Sequence, residues 1–141
     1  MTIAEDVTPP DALAIRQHLL AFNAQAVPIN GPHAQPLHLA LRDPEGLLKG
    51  GLIASLHGWG ILFIEWLWLD TEYRHRGYGA QLLQEAERLA AQRGCRMSQV
   101  DTFDFQAPAF YQREGYECFA VLADFPPGHQ RYYFKKILAQ V

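Results

Sequence analysis

The sequence predicts an α/β fold in which helices cover a mixed β-sheet within one domain. Segments with strand periodicity and helix periodicity alternate along the chain. One strand, Ile61–Leu69, is almost entirely apolar, as is typical of a central strand with both faces covered. The 141 residues are enough for one domain that buries a core of its own.

Each element is indicated by its hydrophobic period and by the turn residues that bound it. Residues 1–8 are expected to form an edge strand. The later elements, in chain order, are a helix over 9–23, strands over 37–41, 47–56 and 61–69, a helix that ends before Gly94, a strand over 95–103, a short helix between Pro108 and Gly115, and strands over 118–122 and 131–138.

Composition and charge argue against several classes of protein. Twelve Lys and Arg residues against 15 Asp and Glu residues give a net charge of −3, whereas a general nucleic-acid binder carries a basic surplus. The most apolar stretch, residues 60–69, is interrupted by Glu65 and is too short to span a membrane. Residues 1–7 lack the pattern of a signal peptide, and the two cysteines are expected as buried, reduced thiols, so a cytoplasmic protein is expected.

An anion-binding site is predicted at a short basic and glycine-containing run between the apolar strand and an amphipathic helix. Its residues are Tyr73, Arg74, His75, Arg76, Gly77, Tyr78, Gly79 and Ala80. The first N–H groups of a helix have no partner within the helix, and the helix dipole adds partial positive charge there. Glycine lets a phosphate approach the backbone, and arginine adds charge. A phosphate-bearing ligand is therefore expected at this helix start.

Two common nucleotide-binding motifs do not fit this run. A dinucleotide fold needs a third glycine where this chain has Leu82, and the phosphate loop of nucleotide triphosphatases ends in Gly-Lys-Ser/Thr, which is absent. The histidines show no metal-binding spacing, so no metal site is expected. What remains is Arg-x-x-Gly-x-Gly after an apolar strand.

Two segments resemble motifs of the GNAT superfamily of N-acetyltransferases. Residues 74–80 resemble its acetyl-CoA pyrophosphate-binding motif, and residues 109–116, with Phe110-Tyr111 before Gly115-Tyr116, resemble its later helix. The two segments stand in the order of the family, and the resemblance covers roughly residues 47–138. It implies a mixed, mostly antiparallel sheet of about six to seven strands flanked by about four helices.

The resemblance also implies how acetyl-CoA is held as co-substrate. The backbone N–H groups from His75 to Ala80 would hold the pyrophosphate, and Arg76 is a better candidate than Arg74 for a direct phosphate contact. A stretch of β-strand backbone would pair with the pantetheine amides and the thioester carbonyl, as a peptide adds to a strand edge. The residues implied in binding the cofactor are Leu67, Trp68, Leu69, Arg74, His75, Arg76, Gly77, Tyr78, Gly79, Ala80 and Phe110.

Tyr111 matches the tyrosine that lies near the thioester sulfur in the family. Acetyl transfer releases coenzyme A as a thiolate, and a phenol with an ordinary pKa near ~10 can hydrogen-bond to this leaving group or protonate it. Tyr111 is therefore predicted to be catalytic. The alternative is a core tyrosine whose hydroxyl is bonded to the backbone.

The base that accepts the proton of the attacking amine is predicted to be Glu65. It is the one charged residue in the apolar strand, and a buried carboxylate is costly unless it is paired or functional. The alternative is an inward polar residue satisfied by a neighbouring strand. Asp101 and Asp104 are further candidates, and Asp104 stands where many family members carry an asparagine that contacts the cofactor. Trp66 is expected in the core.

These residues together predict an acetyl-CoA-dependent N-acetyltransferase in which a primary amine attacks the thioester directly. The alternative is a non-catalytic acyl-CoA-binding or sensing module. A toxin that acetylates charged transfer RNA is disfavoured by the negative net charge. The sequence does not name the acceptor amine. Homodimers are common in the family, so a second copy is one expected partner, while neither nucleic acid nor a membrane is expected.

Overall fold

The computed structural model describes residues 1–29 and 31–138, which form one β-sheet and three α-helices. The elements are α1 (Pro9–Ala26), β1 (Ala34–Arg42), β2 (Leu48–His57), β3 (Ile61–Leu69), a short 3-10 helix (Thr71–Tyr73), α2 (Tyr78–Gln92), β4 (Met97–Phe103), α3 (Pro108–Arg113), β5 (Glu117–Ala123) and β6 (Gln130–Ile137). The predicted α/β class and the order of these elements are confirmed, and β3 has the predicted bounds.

The six strands lie in the order β1-β2-β3-β4-β6-β5, and only β3 and β4 run parallel. This parallel pairing is short, since Ile61–Ile64 pairs with Met97–Val100 and no pair follows within the described residues. β3 nevertheless continues to Leu69 and β4 to Phe103. The two strands therefore part at their C-terminal ends, and the last residues of β3 have a backbone edge that β4 does not pair.

Helix α2 packs its apolar face on one side of the sheet. Its side chains Leu82, Leu83, Ala86 and Ala90 are buried, as expected for apolar residues that share one helix face. The strands contribute Leu37, Leu52, Ala54, Leu62, Ile64, Val100 and Phe134 to the same core. Gly94 takes a φ of +92° just beyond the helix, in the terminating role predicted for it.

A buried polar network joins α2 to β4, to β6 and to the end of α3. The Tyr116 hydroxyl donates to Glu87 Oε2 at 2.7 Å and lies 2.8 Å from Ser98 Oγ. Lys136 Nζ donates to Glu87 Oε1 at 2.9 Å. Burial, reinforced by the Glu87 carboxylate, raises the pKa of Tyr116. Because each buried polar group has a partner, the network stabilises the fold rather than leaving a group free for chemistry.

The face of the sheet opposite α2 is open, which corrects the expectation that β3 is covered on both faces. Phe63, Trp66 and Trp68 expose 37%, 69% and 50% of their surface. The prediction that Trp66 lies in the core is therefore wrong. Helices α2 and α3 contribute to the core on the other side of the sheet, and α1 buries none of its side chains. These three aromatic side chains are therefore not covered by a second layer.

A β-bulge explains the orientation of the middle of β3. Ile53 of β2 pairs with Trp66 and Ala54 pairs with Ile64, so Glu65 has no residue opposite it. A bulge of this kind shifts the side-chain alternation by one residue. Glu65 is exposed, so both the buried carboxylate predicted from the sequence and the inward alternative are wrong.

The N-terminal part differs from expectation in one respect. Residues 1–8 form no strand and are all exposed, so the predicted edge strand is wrong. Helix α1 begins at Pro9 as predicted, because the Thr8 side chain accepts the Asp11 N–H at 3.3 Å and the Asp11 carboxylate accepts the Thr8 N–H at 3.1 Å. This reciprocal pair is a capping box, which satisfies two donors at the helix start.

The number of helices and the burial of the cysteines differ in part from the predictions. The described residues form three α-helices and one 3-10 helix, where about four helices were expected. Cys95 is buried and Cys118 is exposed, and both are free thiols, so the expected burial holds for Cys95 alone. Among the residues that the structure describes, no helix is both long and apolar enough to cross a membrane.

Candidate functional site

The predicted anion site is the loop between β3 and α2. Its backbone takes positive φ values at His75 (+60°) and at Gly77 (+85°), and Gly77 is the N-cap residue of α2. No side chain caps this helix start, and the backbone N–H groups of residues 77–80 have no acceptor within the described residues. Four free donors at the positive end of a helix suit the oxygens of a phosphate.

The two glycines of the loop, Gly77 and Gly79, have different surroundings. A Cβ built on Gly77 would meet no atom within 4 Å, so the space beside the free donors is open. A Cβ on Gly79 would instead lie 3.5 Å from the Phe110 ring and 3.7 Å from a methyl group of Leu69. Gly79 therefore lets α2 approach α3 and β3, whereas Gly77 leaves space for a ligand.

The two arginines of the loop also differ. Arg74 Nε donates to the Leu69 carbonyl at 3.1 Å, which ties the loop back to the end of β3. Arg76 lies over the Tyr73 ring, with 5.7 Å from its guanidinium carbon to the ring centroid. It forms no ion pair within the described residues. Arg76 thus has all of its hydrogen-bond donors available to an anion, whereas Arg74 has one engaged.

The end of β3 presents a backbone edge beside this loop that β4 does not pair, although the Leu69 carbonyl already accepts the Arg74 Nε–H. Leu67, Trp68 and Leu69 pair with β2 on one side, and on the other side β4 has already diverged. Backbone amide and carbonyl groups on an unpaired strand edge need hydrogen-bond partners. An extended ligand that carries amides can supply those partners in the way an added strand would.

Tyr111 of α3 lies in the core and is only 5% exposed. Its ring packs against Phe110, Tyr116 and Phe134, with ring centroids 5.0, 5.7 and 6.1 Å away. Burial, with a smaller contribution from the Asp101 carboxylate, raises the pKa of Tyr111 to about 12. In contrast to Tyr116, its hydroxyl has no hydrogen-bond partner among the described residues. The predicted alternative, a hydroxyl bonded to the backbone, is therefore not observed.

The three carboxylates considered as the base differ in their partners. Asp101 Oδ1 accepts the Arg131 Nε–H at 2.9 Å. Asp104 lies 2.9 Å from His129 Nδ1 through one oxygen, and its other oxygen accepts a backbone N–H at 3.1 Å. Glu65 has no hydrogen bond or ion pair within the described chain. Glu65 is therefore the carboxylate with both oxygens free.

Sequence reasoning did not find Arg131 or the rings around it. The Arg131 guanidinium lies 5.5, 5.2 and 5.3 Å from the ring centroids of Phe103, Phe125 and Tyr133. These residues come from β4, the β5–β6 connection and β6, and the pairing of β4 with β6 brings them together. No local spacing signals such a cage, because its members are up to 30 positions apart in the chain.

The sequence model of the Acetyltransferase (GNAT) family matches residues 9–116. This chain belongs to that family. GNAT enzymes are acyltransferases that use acetyl-CoA as co-substrate, and this chain is one of them by family. The family membership that the two motifs indicate is confirmed. Within the described residues, no group of three His, Cys, Asp or Glu side chains is placed to hold a metal ion.

Individual relatives of this chain are also acetyltransferases. A blasticidin-S acetyltransferase from Streptomyces morookaense is 46% identical over 84 residues, which cover 59% of this chain and 61% of that protein, less than two thirds of its length. The crystal structure of an acetyltransferase from Bacillus cereus superposes with a TM-score of 0.89 at 34% identity and covers 98% of this GNAT chain and 99% of its own.

A third relative has the same fold and was solved with a ligand bound. It is a Bacillus anthracis protein described as a candidate streptothricin acetyltransferase and solved in complex with acetyl coenzyme A. It superposes with a TM-score of 0.66 at 16% identity, covering 78% of this chain and 65% of its own. The GNAT fold of this chain is thus one on which acetyl-CoA is observed bound.

Proposed function

We propose that this protein transfers the acetyl group of acetyl-CoA to a primary amine, without a covalent enzyme intermediate. One observation carries the proposal. The free N–H groups of residues 77–80 follow the unpaired end of β3, and the ring of Tyr111, whose hydroxyl has no partner within the described residues, packs on Phe134, which pairs with Val100 where β3 and β4 part. These groups match, in turn, the pyrophosphate, the pantetheine amides and the sulfur of acetyl-CoA.

The reaction replaces a carbon–sulfur bond with a carbon–nitrogen bond and removes one proton from the amine. The amine nitrogen attacks the thioester carbon, the carbon–sulfur bond breaks, coenzyme A leaves as a thiolate, and the nitrogen gives up a proton. The backbone of residues 67–69 polarises the carbonyl, and Tyr111 donates a hydrogen bond to the sulfur. Because the pKa of Tyr111 is about 12 and that of an ordinary thiol is near ~8.5, the proton stays on the phenol. Tyr111 thus stabilises the thiolate without protonating it.

Glu65 is the proposed acceptor of the amine proton, directly or through water. Its support is its position, one residue beyond the last pair between β3 and β4, and the absence of any partner for its carboxylate within the described residues. A base must be accessible to the substrate, and an exposed carboxylate at the parting strands meets that need. Asp104 is a weaker candidate, because both of its oxygens are engaged.

The first acceptor to test is blasticidin S, because a relative at 46% identity is named for its acetylation. Thiol release from acetyl-CoA is measured over a panel of primary amines that includes blasticidin S, and mass spectrometry identifies the product. Acetylated blasticidin S is the expected product, and Glu65→Gln should lower its rate of formation at neutral pH by about a hundredfold. Binding of acetyl-CoA without thiol release for any amine would instead indicate a non-catalytic acyl-CoA-binding module.

A homodimer is also proposed, formed by pairing of β5 with β5 of a second copy. β5 is a sheet edge, every one of its residues is exposed, and it presents Phe119, Val121 and Leu122. An apolar strand edge leaves backbone groups unpaired, and two antiparallel copies satisfy each other around a two-fold axis.

Light scattering after size exclusion tests this dimer. The wild-type protein should have twice the mass of the chain, and Val121→Lys should have the mass of the monomer because it places two charges in the interface. The control Val7→Lys changes an equally exposed valine outside the sheet and should leave the dimer intact. A monomeric wild-type protein at micromolar concentration contradicts the proposal.

We place the protein in the cytoplasm. Two free cysteines, one of them exposed, suit a reducing compartment.

A further inference from the structure

A cavity of about 770 Å³ lies at the far end of α2 from the loop that precedes this helix. One wall is the connection from α2 to β4, and the others are the end of α1, the linker before β1 and the turn between β2 and β3. The 15 residues of α2 separate this cavity from the loop by about 22 Å, at 1.5 Å per residue. The cavity has the size of a small-molecule site and is distinct from the place proposed for acetyl-CoA.

The charged side chains that line this cavity are all positive. They are Arg93 and Arg96, and neither forms an ion pair or a side-chain hydrogen bond within the described residues. No Asp or Glu of the part of the chain that the structure describes lines the cavity, although the whole chain has a net charge of −3. Two unpaired guanidinium groups without a carboxylate favour an anionic ligand.

The end of α2 does not use these two arginines. Cations at a helix C-terminus often only balance the partial negative charge of the last carbonyls. Here the carbonyls of Leu89, Ala90 and Ala91 accept the backbone N–H groups of residues 93–95 at 2.9 to 3.1 Å. Neither arginine side chain donates to them within the described residues, so the guanidinium donors stay available to a ligand.

The same cavity has an apolar wall with a fixed aromatic ring. Trp59 is 38% exposed, and its indole N–H donates to the Val27 carbonyl at 3.1 Å, which holds the ring in place. Leu56 and Pro32 extend this wall. A fixed indole offers a flat face on which another ring can stack.

A buried nitrogen without a partner lies next to this wall. His33 follows Pro32 in the linker, and its carbonyl accepts the Gly58 N–H at 2.9 Å. Its Nδ1 is buried and has no hydrogen-bond partner within the described residues. Buried polar groups in folded proteins are nearly always hydrogen-bonded, so this nitrogen independently points to a polar ligand between the linker and the turn.

We propose that this cavity binds an aromatic carboxylate, with its carboxylate on Arg93 and Arg96 and its ring against Trp59. The planar guanidinium fork matches a carboxylate, and the indole face matches the ring. The proposal is independent of acetyl transfer, because none of these residues belongs to the proposed active site.

The test uses isothermal titration calorimetry with 2-naphthoate and with 2-naphthamide, which has the same ring but no charge. The wild-type protein should bind 2-naphthoate about tenfold more tightly, the effect of one charge-assisted hydrogen bond, and added salt should reduce the difference. Acetate, which lacks the ring, should bind at least about tenfold more weakly than 2-naphthoate. Arg93→Gln and Arg96→Gln should each lower the affinity for 2-naphthoate by about tenfold.

The matched control is Arg113→Gln, which removes an exposed arginine of α3 that does not line the cavity and should keep full affinity for 2-naphthoate. Saturating coenzyme A should also leave that affinity unchanged, because the cavity is separate from the loop before α2. Absence of 2-naphthoate binding, equal binding of 2-naphthamide, unchanged affinity in the Arg93 and Arg96 variants, or displacement of 2-naphthoate by coenzyme A overturns the proposal. The wild-type comparisons need no variant, so they decide the question even if a variant does not fold.

Discussion

Replacing Gly77 with alanine is expected to weaken the binding of acetyl-CoA by about a hundredfold, since it would disrupt on the order of two charge-assisted hydrogen bonds. The new Cβ enters the open space beside the free N–H groups of residues 77–80, where the pyrophosphate is proposed to lie. Isothermal titration calorimetry of the folded variant measures the loss directly.

A matched control separates the lost ligand site from backbone strain. Gly46 has the same φ of +85° and the same open surroundings, but it lies in the turn between β1 and β2. Either alanine should cost about 1–2 kcal/mol in stability, because a left-handed backbone disfavours a side chain. Gly46→Ala should keep full affinity for acetyl-CoA. Equal affinity of both variants for acetyl-CoA would contradict the proposed anion site.

Tyr111→Phe is expected to lower kcat by roughly a hundredfold, the value of a hydrogen bond to a developing charge. Affinity for acetyl-CoA should change by less than about twofold, because the hydrogen bond is strong only once sulfur becomes a thiolate. Thermal stability should not fall, since the hydroxyl has no partner in the folded protein. Steady-state kinetics, calorimetry and thermal melting together test these three statements.

Tyr116→Phe is the matched control, because Tyr116 is as buried as Tyr111 but its hydroxyl is bonded to Glu87 and Ser98. That variant should lose about 1–3 kcal/mol of stability and keep its kcat. In the wild-type protein, Tyr111 should cause no fall in kcat below about pH 11, because its pKa is about 12 and it stays protonated. An undiminished kcat in Tyr111→Phe would remove Tyr111 from the mechanism.

Much of the fold could be predicted from the sequence because its signals are local. The bounds of β3 follow from an apolar run between turn residues, and the end of α2 follows from a glycine that adopts positive φ. The anion loop is equally local, since its glycines, its arginines and the helix start are neighbours in the chain. Such features depend little on how the rest of the chain packs.

The exposure of β3 could not be predicted, since an apolar run does not tell whether a second layer covers it. Trp66 and Trp68 resemble core residues by type, yet both are exposed and neither belongs to the core. A single bulge at Glu65 reverses the expected alternation of inward and outward side chains, and the spacing of the residues does not predict this bulge. The Arg131 cage was missed for a related reason, because strand pairing between distant segments creates it.

The short pairing between β3 and β4 divides the sheet into two ribbons of three strands each, β1-β2-β3 and β4-β6-β5. Near the loop end, backbone hydrogen bonds between the described residues do not join the ribbons. In the proposed binding mode, the amides of acetyl-CoA bridge the two ribbons at this place, so the co-substrate is also a structural part of the sheet while it is bound.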